Sequence, residues 1–189
     1  MENYNPKIVE AIKQHLEEED IKRVSFDESS GTFSFIINIK GPISICQFLI
    51  KVREEDFSVF AFSPLRPTPD KPDTMIKMAE FITRANYGMK SGCFDLDLRD
   101  GELRFRCYVN CEENQIPNQS VIRASIGVPA AMLRLYAPGI IAVIFNGMDP
   151  ESAVEMCEER RDIRRRHVPV DCIPSFEEFD EEESEEEDE

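Results

Sequence analysis

The sequence predicts an α+β protein: a twisted antiparallel sheet of about five strands packed against helices, in the order α-β-β-β-α-β-β-α. Three observations carry that expectation. The apolar spacing changes from a helical period to a two-residue period after Asp20. The segment Ser63 to Pro72 (SPLRPTPDKP) concentrates prolines that neither a central strand nor a helix interior tolerates, so it separates the strand region from a second helix. Further on, Asp100-Gly101 stands between two alternating runs, where a hairpin turn belongs.

The elements follow in order. Ile8, Val9, Ile12 and Leu16 recur at helical spacing with Lys, Glu and Gln between them, which predicts a first amphipathic helix over Pro6 to Leu16 that ends in the acidic cluster Glu17 to Asp20. Phe33, Phe35, Ile37 and Ile39 then alternate with Ser34, Ile36 and Asn38 until Gly41-Pro42 breaks the run. Ile43 to Val52 and Phe57 to Phe62, joined by the polar turn Arg53 to Asp56, complete a three-strand antiparallel meander. After the proline-rich connection, Asp73 and Thr74 are placed to cap a helix whose apolar face is Met75, Met78, Ala79, Ile82 and Ala85, and Gly88 is placed to end it. Cys93 to Leu98 and Leu103 to Val109 form the hairpin, with Phe94, Leu96 and Leu98 facing the core from one strand and Leu103, Phe105, Cys107 and Val109 from the other. Asn118 to Phe145 turns helical again, and its two prolines, Pro129 and Pro138, imply kinks or separate helices. Asn146-Gly147 closes that region, and Asp149-Pro150-Glu151 starts a last helix that reaches about Arg161.

Composition bounds the function. A chain of 189 residues suffices for one domain with a core that needs neither disulfides nor metal. One α+β domain is expected over 1–161, followed by an Arg-rich linker and a disordered acidic tail over 162–189. The net charge is −16, of which Glu177 to Glu189 carries −11, leaving a mildly acidic body of −5 that would repel a phosphate backbone. The exception is Arg160-Arg161-Asp162-Ile163-Arg164-Arg165-Arg166-His167, a basic run able to meet nucleic acid or an acidic partner, or to be shielded by the acidic tail that follows it. No basic stretch followed by an apolar one opens the chain, and the six cysteines (Cys46, Cys93, Cys107, Cys111, Cys157, Cys172) are scattered, so they read as reduced, buried residues of a cytoplasmic protein. The apolar run Ala137 to Phe145 is far shorter than the ~20 residues of a membrane span.

Few residues offer chemistry. Only His15 and His167 could serve as an imidazole base; the first falls on a surface-like stretch of the first helix and the second follows the arginines. Cys107 and Cys111 stand four apart near Cys93, without the paired short spacings of a zinc site. Asp95 and Asp97 alternate with the apolar residues of their strand and so face away from the core, where Arg104 and Arg106 supply opposite charge as an exposed ion-pair ladder. Gly88 and Gly92 lie between a helix and a strand, the reverse of the order that cradles phosphate. No catalytic, cofactor-binding or metal-ligating residue is assigned.

The stretch NYGMKSGCFDLDLRDGELRFR (Asn86 to Arg106) resembles the central segment of the YbjN-type proteins, a family of bacterial sensory transduction regulators, and Leu135 to Ala153 resembles the helical close of that family. The resemblance covers about Pro6 to Glu158. It implies a fold like that of the class I chaperones of type III secretion, no catalytic residues, and a non-enzymatic role as an intracellular protein- or peptide-binding module, chaperone-like or regulatory, possible as a homodimer. Two alternatives are kept: a metal- or cysteine-dependent enzyme built on Cys93, Cys107 and Cys111 near Asp95, Asp97 and Glu102, and a binder of nucleic acid or basic proteins through the Arg-rich segment and acidic tail.

Overall fold

The computed structural model describes residues 4–111 and 115–165, with side chains to Glu159. Its elements run α1 (Pro6–Glu18), β1 (Ser25–Asp27), β2 (Thr32–Asn38), β3 (Ile45–Val52), β4 (Asp56–Phe62), α2 (Pro72–Asn86), β5 (Cys93–Leu96), β6 (Leu103–Asn110), α3 (Gln119–Asn146) and α4 (Pro150–Arg165). The fold is α+β, with one antiparallel sheet ordered β1-β2-β3-β4-β6-β5. The meander is as expected, the hairpin pairs as expected except that its first strand ends at Leu96 and not Leu98, and β4 joins the two by pairing with β6 along its whole length, Asp56↔Asn110 to Phe62↔Arg104.

The sheet holds six strands rather than about five. The addition is β1, which pairs Ser25↔Ser34 to Asp27↔Thr32 and is too short for its alternation to register as a period. Its turn is built locally: Asp27 accepts from the Ser29 amide at 2.9 Å and from the Ser29 and Ser30 hydroxyls, both at 2.7 Å.

Most of the large apolar side chains of one sheet face are buried, with Ile37, Leu96 and Val109 half-buried at its margins. Phe33, Phe35, Cys46, Phe48, Ile50, Val52, Phe57, Val59, Ala61, Phe94, Leu103, Phe105 and Cys107 make a continuous floor under the helices. Phe35 stacks on Phe48 with ring centroids 5.6 Å apart. Tyr136 of α3 meets Phe94 of β5 at 5.5 Å and Phe81 of α2 at 6.1 Å, both edge-on, so one aromatic group ties sheet to helix layer.

Several local expectations are corrected. α2 begins at Pro72 in the first-turn position, and neither Asp73 nor Thr74 caps it; Asp73 stands in the first turn instead. α2 ends at Asn86 without a left-handed residue, so Gly88 is not its stop; the positive φ belongs to Gly92, at +74° where the chain enters β5. α3 is one helix of 28 residues running through Pro129 and Pro138, not separate helices. Each proline forfeits a hydrogen bond at a cost of about 3 kcal/mol, but twelve buried residues from Ile122 to Val143 hold α3 in place, and a fully buried Leu, Ile or Val returns roughly 1.5–3 kcal/mol. By length and mean hydropathy (1.8) α3 would be apolar enough to cross a membrane, and half of that window is buried here as the core helix of the layer. Asn146-Gly147 does close α3, and Asp149 does cap α4, accepting from the Ser152 amide at 3.1 Å. α4 extends to Arg165, past the expected Arg161.

Candidate functional site

The β5–β6 hairpin is where the sequence concentrates polar and special-geometry residues, and the structure splits them between two tasks. Leu96 and Leu103 close the paired part, and the six residues Asp97 to Glu102 form a loop rather than a tight two-residue turn: the Gly101 amide donates to the Asp97 carbonyl at 2.8 Å, and the Asp97 amide to the Glu102 carbonyl at 2.9 Å. Leu98, expected to face the core, sits in this loop and is 64% exposed. Asp97 turns to Arg99, which donates to it from Nη2 at 2.5 Å and Nε at 3.0 Å, holding the carboxyl down at a pKa of about 2. Gly101 has φ +78° and lies so close under the proline-rich connection that a Cβ there would meet the Pro67 carbonyl oxygen at 1.9 Å.

Asp95 does what alternation predicts. It projects from the face away from the helices and accepts from Arg106 Nε at 3.0 Å and Arg104 Nε at 3.3 Å. Burial alone would raise its pKa; the Arg106 hydrogen bond and the charges of both arginines outweigh burial and hold it below the usual carboxylate value. The Arg104 guanidinium lies 4.6 Å over the Phe60 ring and 6.0 Å from that of Phe62. Cys93 completes the group, with Arg106 Nη2 3.3 Å from its sulfur. A shallow concavity of about 670 Å³ opens beside these residues, lined by Asp95, Asp97, Leu98, Arg99, Glu102 and Arg104 among others.

That group is the polar border of a larger surface. Register places Ile36, Gln47, Phe62, Arg104 and Asp95 in one row across the sheet, and Ser34, Leu49, Phe60, Arg106 and Cys93 in the next. All project opposite the buried floor. No described helix covers them: Ile36 is 63% exposed, Ile45 58% and Tyr108 56%, while Leu49, Phe60 and Phe62 are half-buried, the two phenylalanines against each other and Arg104. β1 accompanies β2 only as far as Ser34, so from Phe35 to Asn38 no described strand flanks that side of β2. Lys51, Arg104 and Arg106 are the cations of β2 to β6 on this face, with Asp56 and Asp95 the anions. Sequence alternation contained the signal for this surface, since Ile36, Leu49, Phe60 and Phe62 are apolar residues at the solvent-side positions of their strands.

The other sequence candidates do not converge. Cys107 is on the buried face of β6 and Cys111 just past its end, whereas Cys93 is on the open face. Burial pushes the Cys107 and Cys46 thiols up to about 11, and burial followed by the Asp95 charge raises Cys93, which leaves these sulfurs protonated and poor nucleophiles. Among the described residues no group of three His, Cys, Asp or Glu side chains is placed to hold a metal ion. His15 is a correction: it is 1% exposed, enclosed between α1 and α3, not on the surface. Of the basic run, α4 carries Arg160, Arg161, Arg164 and Arg165, whose side chains lie outside the described residues, as do Arg166, His167, Cys172 and the acidic tail.

No family model matches the chain, and no curated protein matches it. Among solved structures it is similar to one described as the structure of the HopA1-SchA chaperone-effector complex, at 12% identity and a TM-score of 0.44, over 68% of this chain and 92% of that one.

Proposed function

We propose that the chain is a non-enzymatic binding module that holds a protein or peptide partner on the open face of its sheet, in a chaperone-like or regulatory role in the cytoplasm. The observation that carries this reading is the uncovered patch of Ile36, Ile45, Leu49, Phe60 and Phe62, drawn from adjacent rows with Tyr108 on the same face, on a sheet whose other face is packed into the core. Contiguous apolar surface of this kind is costly to leave in water and marks a place where another chain lies. The partner chemistry follows from the border. An extended segment can run beside β2, where Phe35 to Asn38 lack a flanking strand, and set apolar side chains on the patch. Arg104 and Arg106 share the carboxylate of Asp95, and Arg104 also reaches Glu102 at 3.5 Å, so this border is charge-matched within the chain and the segment is expected to meet it with polar side chains. The YbjN-type resemblance and the pairing of two copies belong to the same reading.

The test is a parallel affinity purification, from the cells that make the protein, of the full chain and its Ile36→Asp/Ile45→Asp variant. Both side chains are exposed, so the variant is expected to fold. A near-stoichiometric protein retained by the unmodified chain and lost from the variant is the expected outcome. Recovery of no such partner, or equal recovery on both, overturns the reading.

A further inference from the structure

α1 contributes Ile8, Ile12 and Leu16 to the core, all at 2% exposure or less, yet the same buried side carries one titratable ring. His15 is one residue before Leu16 and three after Ile12, so the helical repeat brings it to the edge of that stripe, where the N-terminus of α3 closes over it. Its Nδ1 stands 2.8 Å from Oε1 of Gln119, the first residue of α3. A carbonyl oxygen accepts, so the neutral ring donates from Nδ1 and keeps its lone pair on Nε2. Among the described residues Nε2 is the one fully buried side-chain nitrogen or oxygen without a hydrogen-bond partner.

Charging this ring means adding a proton at Nε2, and an N–H there would point at no acceptor while the imidazolium loses its water. The charged groups facing it are Glu19 at the C-terminal cap of α1, Arg123 from α3 and Glu18 from the last turn of α1. Glu19 is ion-paired with Arg123, so the carboxylate nearest the ring is already matched by a cation from the same side. Burial therefore prevails over the Gln119 hydrogen bond and the Glu19 charge, and the ring in place resists protonation.

We propose that His15 is an acid-sensitive latch between α1 and α3: its neutral form holds α1 against the sheet, and its protonation releases α1 and uncovers the apolar surface that Ile8, Ile12 and Leu16 cover. The sign follows from linkage. A histidine whose folded-state pKa is lowered contributes stability that is complete above the ordinary value of 6.5 and is lost as pH falls below it. One proton is taken up on release, so the docking equilibrium of α1 weakens as pH falls below 6.5, by less than tenfold per pH unit, until the docked ring itself charges. This release is independent of the open sheet face, which lies on the other side of the strands.

The experiment is hydrogen exchange on the full chain from pH 7.5 to 5.5, corrected for intrinsic exchange, with the α1 peptide compared with those of β3 and β4. In the unmodified protein the protection of α1 is expected to fall by up to about fivefold between pH 6.5 and 5.5 while the central strands keep theirs. His15→Asn, which keeps a donor toward Gln119 and does not titrate, is expected to remove that pH dependence; His167→Gln is expected to leave it intact. Unchanged α1 protection across the range, or the same loss in His15→Asn, overturns the latch. Should His15→Asn not fold, an NMR titration of the unmodified chain decides: charging of His15 together with α1 exchange supports the latch, and a ring that charges with α1 still protected overturns it.

Discussion

Asn86, the last residue of α2, finishes an edge strand with one side chain. Its Nδ2 donates to the Phe94 carbonyl at 2.9 Å, and its Oδ1 accepts from the Phe94 amide at 2.8 Å, so the backbone groups of Phe94 on the edge of β5 are closed off. Replacing it by Ala leaves both groups without partners beside a buried Phe94, and urea denaturation is expected to show a loss of about 2 kcal/mol. Asn86→Asp keeps the acceptor and loses the donor, so it is expected to fall between the two. This role was not legible in the sequence, where Asn86 reads only as part of a helix end, because the contact depends on how α2 and β5 meet. Asp95 was legible, since period-two alternation fixes its face and the cross-strand arginines fix its partners. His15 was misread for the opposite reason: a polar residue beside an apolar helical stripe counts as exposed until another element, here the start of α3, covers it.

At the scale of elements, the turn glycines separate what spacing can and cannot say. Gly88 was the expected helix stop, yet it has no left-handed φ and no atom within 4 Å of where a Cβ would sit. Gly101 has φ +78° and no room, because the connection from Ser63 to Pro72 crosses directly over it. Gly88→Ala is therefore expected to be neutral or to stabilise by up to about 1 kcal/mol through the unfolded chain, and Gly101→Ala to destabilise by about 2 kcal/mol or more through strain and overlap. Paired denaturation curves read the contrast. The same limit explains α3. Pro129 and Pro138 lower the local helix propensity, and only the contacts of Tyr136 with Phe81 and Phe94, with the rest of the buried face, show that tertiary packing overrides it. Strands long enough to alternate were legible to within a few residues; β1, three residues long, was not.

Across the whole molecule, one sheet carries two apolar faces with opposite fates. The floor under the helices contains Ile50 and Phe48 at 0% exposure, and the open face contains Ile36 and Ile45 at 63% and 58%. If the open face is a binding surface and not a second core, truncations on the two sides must differ. Ile50→Ala removes packed methyl and methylene groups and leaves a cavity, an expected loss of about 2–5 kcal/mol. Ile36→Ser takes an apolar side chain from water and replaces it with a polar one, an expected change within about 0.5 kcal/mol. Binding must follow the reverse order: Ile36→Ser, with Phe62→Ser added to widen the break in the row, weakens the partner while an Ile50→Val variant that stays folded does not. Equilibrium denaturation of the isolated chain and retention of the partner by each variant measure the two columns. A large stability loss at Ile36 would mean that the face is already covered, either by residues 166–189 of the same chain or by a second copy. Repeating the measurement at several protein concentrations separates those cases, because only the second is concentration-dependent.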